Sequence, residues 1–159
     1  MANFNSLLST TAFEAPKPKN FPSGFYLGNL KQPKMDSRKM QGKDEKEPKD
    51  KLIVSFPIVP TEWPEELGEA EKEGLSFQGK VFTKDFIFDV EKLEAGDKSE
   101  LWGLDQFLRS IGVSGSGTYE ELLPNATGAS VQFQLALRKY NNKQGEEVEI
   151  NDVKKVTGI

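Results

Sequence analysis

Residues 129–140 read ASVQFQLALRKY and form the most regular stretch of this sequence. In this stretch large apolar residues alternate with polar or small ones, at positions Val131, Phe133, Leu135 and Leu137. A period of two residues is typical of a β-strand with one buried face. Residues 141–145 are turn-forming, and residues 147–156 again favour a strand. The pattern predicts a β-hairpin with Phe133 and Leu135 in the core.

Two helices are predicted immediately before this hairpin. Asp97 and Glu100 have the spacing of a capping box, and Gly112 suits a helix end. Between them lies one apolar stripe, formed by Leu101, Leu104, Leu108 and Ile111. Thr118 begins a second, short helix that Pro124 ends.

Three further strands are predicted earlier in the chain, at residues 24–31, 52–59 and 75–90. The third reads as one long strand or as a bent pair with a bend at Gly79. Residues 32–51 are polar and aperiodic, which predicts a long loop. Several prolines within residues 1–23 predict an irregular N-terminal arm.

The order of these elements favours one architecture. Three strands, a helical segment and a final hairpin are the order of the OB-fold, a five-stranded, partly open barrel. An SH3-like barrel does not normally carry two helices at that position, and a β-sandwich needs about seven strands. We therefore predict a mainly β, OB-fold-like five-stranded barrel over residues 24–159, with a helix between strands 3 and 4. An N-terminal arm precedes it at residues 1–23, and a long basic loop lies within it at 32–51.

Composition argues against most enzyme classes. The 159 residues include no Cys and no His, the usual groups of zinc sites and of nucleophilic triads. Residues 112–117 are Gly-rich, but no Lys follows them as in a phosphate-binding loop. We expect no enzyme, no metal and no cofactor. The sequence also lacks an 18-residue apolar run and a secretion signal, so we expect no membrane association and a location in the cytoplasm.

Charge is unevenly distributed behind a formal net charge of −4. Residues 16–51 hold ten Lys and Arg against five acidic residues, whereas residues 61–100 hold five Lys against twelve acidic residues. A basic segment can attract a polyanion locally while the acidic remainder keeps the protein dispersed. The alternative is a merely solvated, mobile loop.

OB-folds bind oligonucleotides on strands 2 and 3, between the loops joining strands 1–2 and 4–5. Both loops are cationic here. The first supplies Lys31, Lys34, Arg38, Lys39, Lys43, Lys46, Lys49 and Lys51. The second supplies Arg138, Lys139 and Lys143. Single-strand binders also need aromatic faces for bases, and Tyr26 and Tyr140 are the predicted stacking residues because a hydroxyl tolerates a wet groove.

Four segments resemble one known family. They are FNSLL at 4–8, PSGFYLG at 22–28, LDQFLRSIG at 104–112 followed by YEELLP at 119–124, and RKY at 138–140 followed by EINDV at 149–153. This pattern is similar to small phage-encoded OB-fold single-stranded-DNA-binding proteins. Many such binders end in an acidic tail that recruits replication proteins, whereas residues 153–159 contain two Lys and no acidic residue.

The resemblance implies a non-sequence-specific single-stranded-DNA-binding protein of a phage replication or recombination module, in the host cytoplasm. The alternative is a virion accessory or assembly protein that acts through protein–protein contacts. The N-terminal arm suits either a homo-oligomer or a neighbouring protein.

Overall fold

The structure, a computed structural model, describes residues 4–14 and 19–159. Six strands form its sheet: β1 (Gly24–Leu30), β2 (Lys34–Met40), β3 (Lys49–Glu62), β4 (Phe82–Asp89), β5 (Ser130–Asn141) and β6 (Glu147–Gly158). The helices are α1 (Asn5–Leu8), α2 (Glu69–Lys72), α3 (Val90–Glu94), α4 (Leu101–Ser110) and α5 (Tyr119–Leu122), the last followed by a 3-10 turn at Leu123–Ala126. The mainly β prediction is confirmed.

β1 and β2 lie end to end along one edge of β3, so that the three strands make one long hairpin. Residues 34–40 pair with residues 49–55, and residues 27–30 pair with the far end of β3. The chain breaks between them at residues 31–33, where Pro33 has no N–H to give to a ladder. The N–H of Lys31 still donates to the carbonyl of Pro57 at 2.9 Å.

The sheet is antiparallel and open. β6, β5, β1 and β3 are successive neighbours, and β4 pairs with the other edge of β3. β4 and β6 approach each other but are not paired strands, so the sheet is not closed into a barrel. The expected OB-fold-like barrel of five strands is therefore corrected to an open sheet of six strands. The first strand is broken in two, and residues 20–21 lie against β6 beside β4.

The long basic loop expected at 32–51 is also wrong, because β2 and the start of β3 occupy most of it. The true loop is residues 41–48. Both faces of β2 are largely exposed, so its sequence needs no apolar alternation. Backbone hydrogen bonds to β3 make it a strand, and a search for hydrophobic period cannot see them.

α4 packs its apolar stripe onto the core, as the sequence predicts. Leu104, Phe107 and Leu108 are buried, and Leu101 and Ile111 are partly buried against the same cluster. The Phe107 ring lies 4.8 Å from that of Phe56 in β3 and 5.5 Å from that of Phe86 in β4. At the end of the helix, the N–H of Gly158 in β6 donates to Ser110 Oγ. α4 therefore spans from β3 and β4 to β6, across the open side of the sheet.

The segment at 75–90 contains only one strand. β4 begins at Phe82, and residues 77–80 form a turn in which Gly79 has a φ of +70°. Phe82 and Phe88 face the core, whereas Ile87 is exposed. In β5, Val131, Phe133 and Leu135 are fully buried, which confirms their predicted facing, whereas Leu137 at the next alternating position is 43% exposed.

The predicted arm at 1–23 falls partly on residues 1–3 and 15–18, which lie outside the described residues. Its last part is in contact with the sheet. Asn20 Nδ2 donates to the carbonyl of Glu149, and the Phe21 backbone exchanges two hydrogen bonds with the Asn151 side chain. The Phe21 ring is buried and stacks on Trp63 and Phe77.

Candidate nucleic-acid interface

The β2–β3 hairpin presents most of the predicted cations. Five lysines are exposed and have no ion pair within the described part of the chain: Lys31, Lys34, Lys39, Lys43 and Lys46. Arg38 instead forms a 2.9 Å pair with Asp36, and both side chains are more than half exposed. An exposed pair of this kind is weak and can be exchanged for a phosphate.

Lys49 and Lys51 are already engaged, contrary to their predicted role. Lys51 Nζ lies 3.2 Å from Glu45 and 3.5 Å from Asp89, and its side chain is largely buried. Lys49 Nζ lies 3.9 Å from Glu45 and 4.0 Å from Asp89. Since these carboxylates neutralise both ammonium groups, the pair fastens the hairpin to β4 rather than facing a ligand. We call these four residues the hairpin ion cluster.

The pKa shifts agree with a stable ion cluster. A backbone hydrogen bond from Gly42 and the Lys51 ammonium lower the pKa of Glu45. Burial acts to raise the pKa of Asp89, but the hydrogen bond from the Glu91 N–H and the two lysine charges outweigh it, so this pKa is lowered. Burial acts to lower the pKa of Lys51, but Glu45 and Asp89 outweigh it, so this pKa is raised.

Tyr26 does not lie in a groove, and its predicted stacking role is wrong. Its side chain is fully buried between Phe21 and Phe133, and its hydroxyl donates to the carbonyl of Pro22 at 2.7 Å. Burial, with a smaller effect from Glu66, raises the pKa of Tyr26 to about 12. The prediction failed because a tyrosine can also be buried in a core when its hydroxyl donates a hydrogen bond to a backbone carbonyl.

The second predicted cluster lies at the end of the β5–β6 hairpin. The Tyr140 side chain is 41% exposed, and the Arg138 guanidinium lies 5.8 Å from its ring centroid. Arg138 and Lys139 each have a carboxylate within 3.6 Å, from Asp152 and Glu147 respectively. Lys143 is exposed in the turn. This end of the molecule offers an aromatic face bordered by cations.

The cations of the β2–β3 hairpin and those of the β5–β6 hairpin do not form one continuous surface. The register of β5 carries it past the start of β1, whereas β2 continues from the end of β1. The two cationic hairpin ends therefore lie at opposite ends of the β1 segment. The outer surface of β3 and β4 carries the exposed Ile87 and a Ser55–Asp85 hydrogen bond, since the Phe residues of these strands face the core.

Two cations that sequence reasoning missed lie beside the open side of the sheet. Lys80 Nζ is 5.2 Å from the Phe82 ring centroid, and Lys84 Nζ is 5.5 Å from that of Phe86. Lys84 shares the alternation of Phe82 and Phe86, so a lysine at an inward-facing position was the signal that could have revealed it.

Within residues 4–14 and 19–159, no group of three or more acidic side chains is arranged to hold a metal ion. The described helices are all too short or too polar to cross a membrane.

No protein-family model matches this sequence, and no curated protein is significantly similar to it. The resemblance to phage single-stranded-DNA-binding proteins stays a prediction drawn from the four segments quoted above.

Proposed function

We propose that this protein binds single-stranded DNA without sequence specificity, as an open OB-like domain of a phage replication or recombination module. The observation that carries the proposal is the order of strand neighbours. If β1 and β2 are counted as one interrupted strand, the neighbours read third, second, first, fourth and fifth, and α4 lies between the third and fourth. An OB-fold has its helix at the same place between the third and fourth strands.

Electrostatics supports the same function through a smaller set of residues than the sequence suggested. The exposed, unpaired lysines of the β2–β3 hairpin can contact phosphates without breaking an ion pair, and Lys43 and Lys46 lie in its loop. Tyr140 supplies an exposed π-face, which stacks on any base and so gives affinity without sequence preference.

The test is a titration of fluorescein-labelled oligo(dT), followed by anisotropy at several salt concentrations. We expect binding at low salt that weakens linearly on a log–log plot, because each lysine–phosphate contact on a single strand contributes a slope of about −0.7. Replacing two contacts, in Lys43→Ser/Lys46→Ser, should weaken binding and make the slope shallower by about 1.4.

The matched control is Lys98→Ser/Lys155→Ser, which removes two exposed lysines outside the hairpin. The control changes the net charge by the same amount. If only Lys43→Ser/Lys46→Ser makes the salt slope shallower, Lys43 and Lys46 contact the DNA directly. Equal slopes for both variants would mean that the hairpin is a solvated loop. No binding of wild-type protein to oligo(dT) at low salt would overturn the proposed function.

One observation favours the second function, an assembly protein acting through protein–protein contacts. Phe4, Leu7 and Leu8 have the i, i+3, i+4 spacing of one helix face, and they are 72%, 68% and 78% exposed. An apolar helix face of this kind is typical of a segment that docks into a groove of another protein or copy. Sedimentation velocity over a wide concentration range tests it: self-association that Leu7→Ser/Leu8→Ser abolishes, without oligo(dT) binding, would favour this function.

A further inference from the structure

The open side of the sheet, between β4 and β6, forms a groove that other parts of the chain close at both ends. Residues 20–21 occupy one end of it through their hydrogen bonds to Glu149 and Asn151. α4 covers the other end, where Ser110 meets Gly158. Between β4 and β6 remains a cavity of about 370 Å³. We call this groove the seam.

The seam is lined by groups suited to a nucleotide. Its wall includes Lys80, Phe82 and Thr83 on the β4 side, and Asn151, Asp152 and Val153 on the β6 side. Because β4 and β6 are not paired with each other, each has an edge with backbone N–H and C=O groups that no neighbouring strand takes up. Such edges can hydrogen-bond to the edge of an unstacked base.

Two ammonium groups are held at the seam by aromatic rings. Lys80 Nζ lies 5.5 Å from the Phe21 ring centroid and 5.2 Å from that of Phe82. Lys84, further along β4 and outside the cavity lining, has its Nζ 5.5 Å from the Phe86 ring centroid. Neither lysine forms an ion pair with another described residue, and the one carboxylate lining the cavity, Asp152, is paired with Arg138 and Lys154. The seam therefore has uncompensated positive charge, fixed in place by the cation–π contacts.

We propose that the seam is a contact site for single-stranded DNA, in which Lys80 and Lys84 bind phosphates and the open strand edges contact a base. This inference rests on the proposed function and adds a location to it that the hairpin residues do not cover. It also accounts for the lysine at an inward-facing position of β4, where an apolar residue would otherwise complete the core.

The first experiment repeats the oligo(dT) salt titration with Lys80→Ser/Lys84→Ser. We expect a log–log slope shallower by about 1.4 and an affinity about tenfold or more lower at low salt, as for two lost contacts. Lys80→Arg/Lys84→Arg keeps both charges and should retain the wild-type slope. A purely structural role of the two lysines would lower the melting temperature and leave the slope unchanged, which would overturn the proposal.

The second experiment uses the absence of cysteine from the sequence. Thr83→Cys places a single thiol in the wall of the seam, and Ile87→Cys places one at another exposed position of the same strand, outside the cavity. Saturating oligo(dT) should slow maleimide labelling several-fold at position 83 and leave position 87 unchanged.

The outcomes separate the two proposals. If wild-type protein binds oligo(dT) but labelling at position 83 is not protected, the seam is excluded and the proposed function stands. If wild-type protein does not bind oligo(dT), both proposals fail together.

Discussion

The two long hairpins of the molecule are held in place by different forces. In the β5–β6 hairpin, β5 has one face buried in the core through Val131, Phe133 and Leu135. In the β2–β3 hairpin, β2 buries almost nothing, and Met35 is 74% exposed. Backbone pairing with β3 holds β2 in place, and the hairpin ion cluster fastens β3 to β4 beside it.

Because of this difference, one hairpin contributes most to stability, while the other can carry exposed charges. Because apolar burial is the main favourable contribution to folding, β5 is a strand on which the whole domain depends. β2 can vary its side chains with little effect on the core, so it is free to carry the charges that we propose contact DNA phosphates.

The largest expected effect is on stability. Phe133→Ala leaves a cavity at a fully buried site, and we expect it to lower the free energy of unfolding by about 3–5 kcal/mol. Met35→Ala in β2 should change it by less than about 0.5 kcal/mol. Chemical denaturation of both variants measures the contrast, and a costly Met35→Ala would show that β2 is part of the core after all.

The next effect is on binding. Tyr140→Ala should weaken oligo(dT) binding by about 1–3 kcal/mol and leave the salt slope unchanged, because stacking releases no counterions. The hairpin lysine variants should change both quantities. Tyr140→Phe keeps the ring and serves as the control. A slope change in Tyr140→Ala would mean that Arg138, which lies over the ring, loses a phosphate contact with it.

A smaller effect is expected at the buried phenol of β1. Tyr26→Phe removes its hydrogen bond to Pro22 and should cost about 0.5–1.5 kcal/mol at neutral pH. Since the folded pKa is raised to about 12 from 10.0, wild-type protein loses stability as pH rises from about 10 towards about 12. Tyr26→Phe should lose less over that range. Denaturation at pH 8 and pH 11 makes the comparison, and equal losses would show that Tyr26 is accessible to solvent.

The smallest effect is local and concerns the hairpin ion cluster. Asp89→Asn should speed amide hydrogen exchange in residues 41–51 while barely changing global unfolding. The control is Asp36→Asn, whose exposed pair with Arg38 should contribute almost nothing. Unchanged exchange rates in Asp89→Asn would mean that backbone pairing alone holds the hairpin.

The cluster also has a defined pH range. Its lowered carboxyl pKa values give stabilisation that is present above about pH 4 and lost as pH falls through the folded values. The raised pKa of Lys51 gives stabilisation that is present below about pH 10 and lost as pH rises through the folded value. Hydrogen exchange in residues 41–51 should therefore be slowest, relative to intrinsic rates, between these limits.

The sequence predicted the elements whose burial leaves a pattern. The alternation around Phe133 and the stripe of Leu104 and Leu108 were both interpreted correctly, because each places apolar side chains at the period of its structure. β2 was missed because its pairing uses backbone groups that every residue has. The contact of residues 20–21 with β6 was also missed, since Phe21 is one aromatic residue among prolines.

The sequence predicted where the candidate binding lysines lie, but it did not predict which of them form ion pairs within the protein. Charge counting located the hairpin lysines, but it could not show that Lys49 and Lys51 form ion pairs with Asp89 of β4 and with Glu45 of the hairpin loop. Lys80 and Lys84 were missed for a similar reason. Their contacts with the rings of Phe82 and Phe86, beside the open side of the sheet, depend on the three-dimensional structure.

The contact between residues 20–21 and β6 has a consequence for how the chain folds. Phe21 and Asn151, which form hydrogen bonds, are 130 residues apart in sequence. One edge of β1 pairs with β5, so this edge stays unpaired until β5 has been synthesised. Contacts of such sequence separation slow folding, because a large loop must close before any of them forms. On the ribosome, Phe21 and Tyr26 emerge early and have no complete core until β6 has left the exit tunnel. We therefore expect Phe21 and Tyr26 to stay exposed to chaperones until β5 and β6 have been synthesised and have paired.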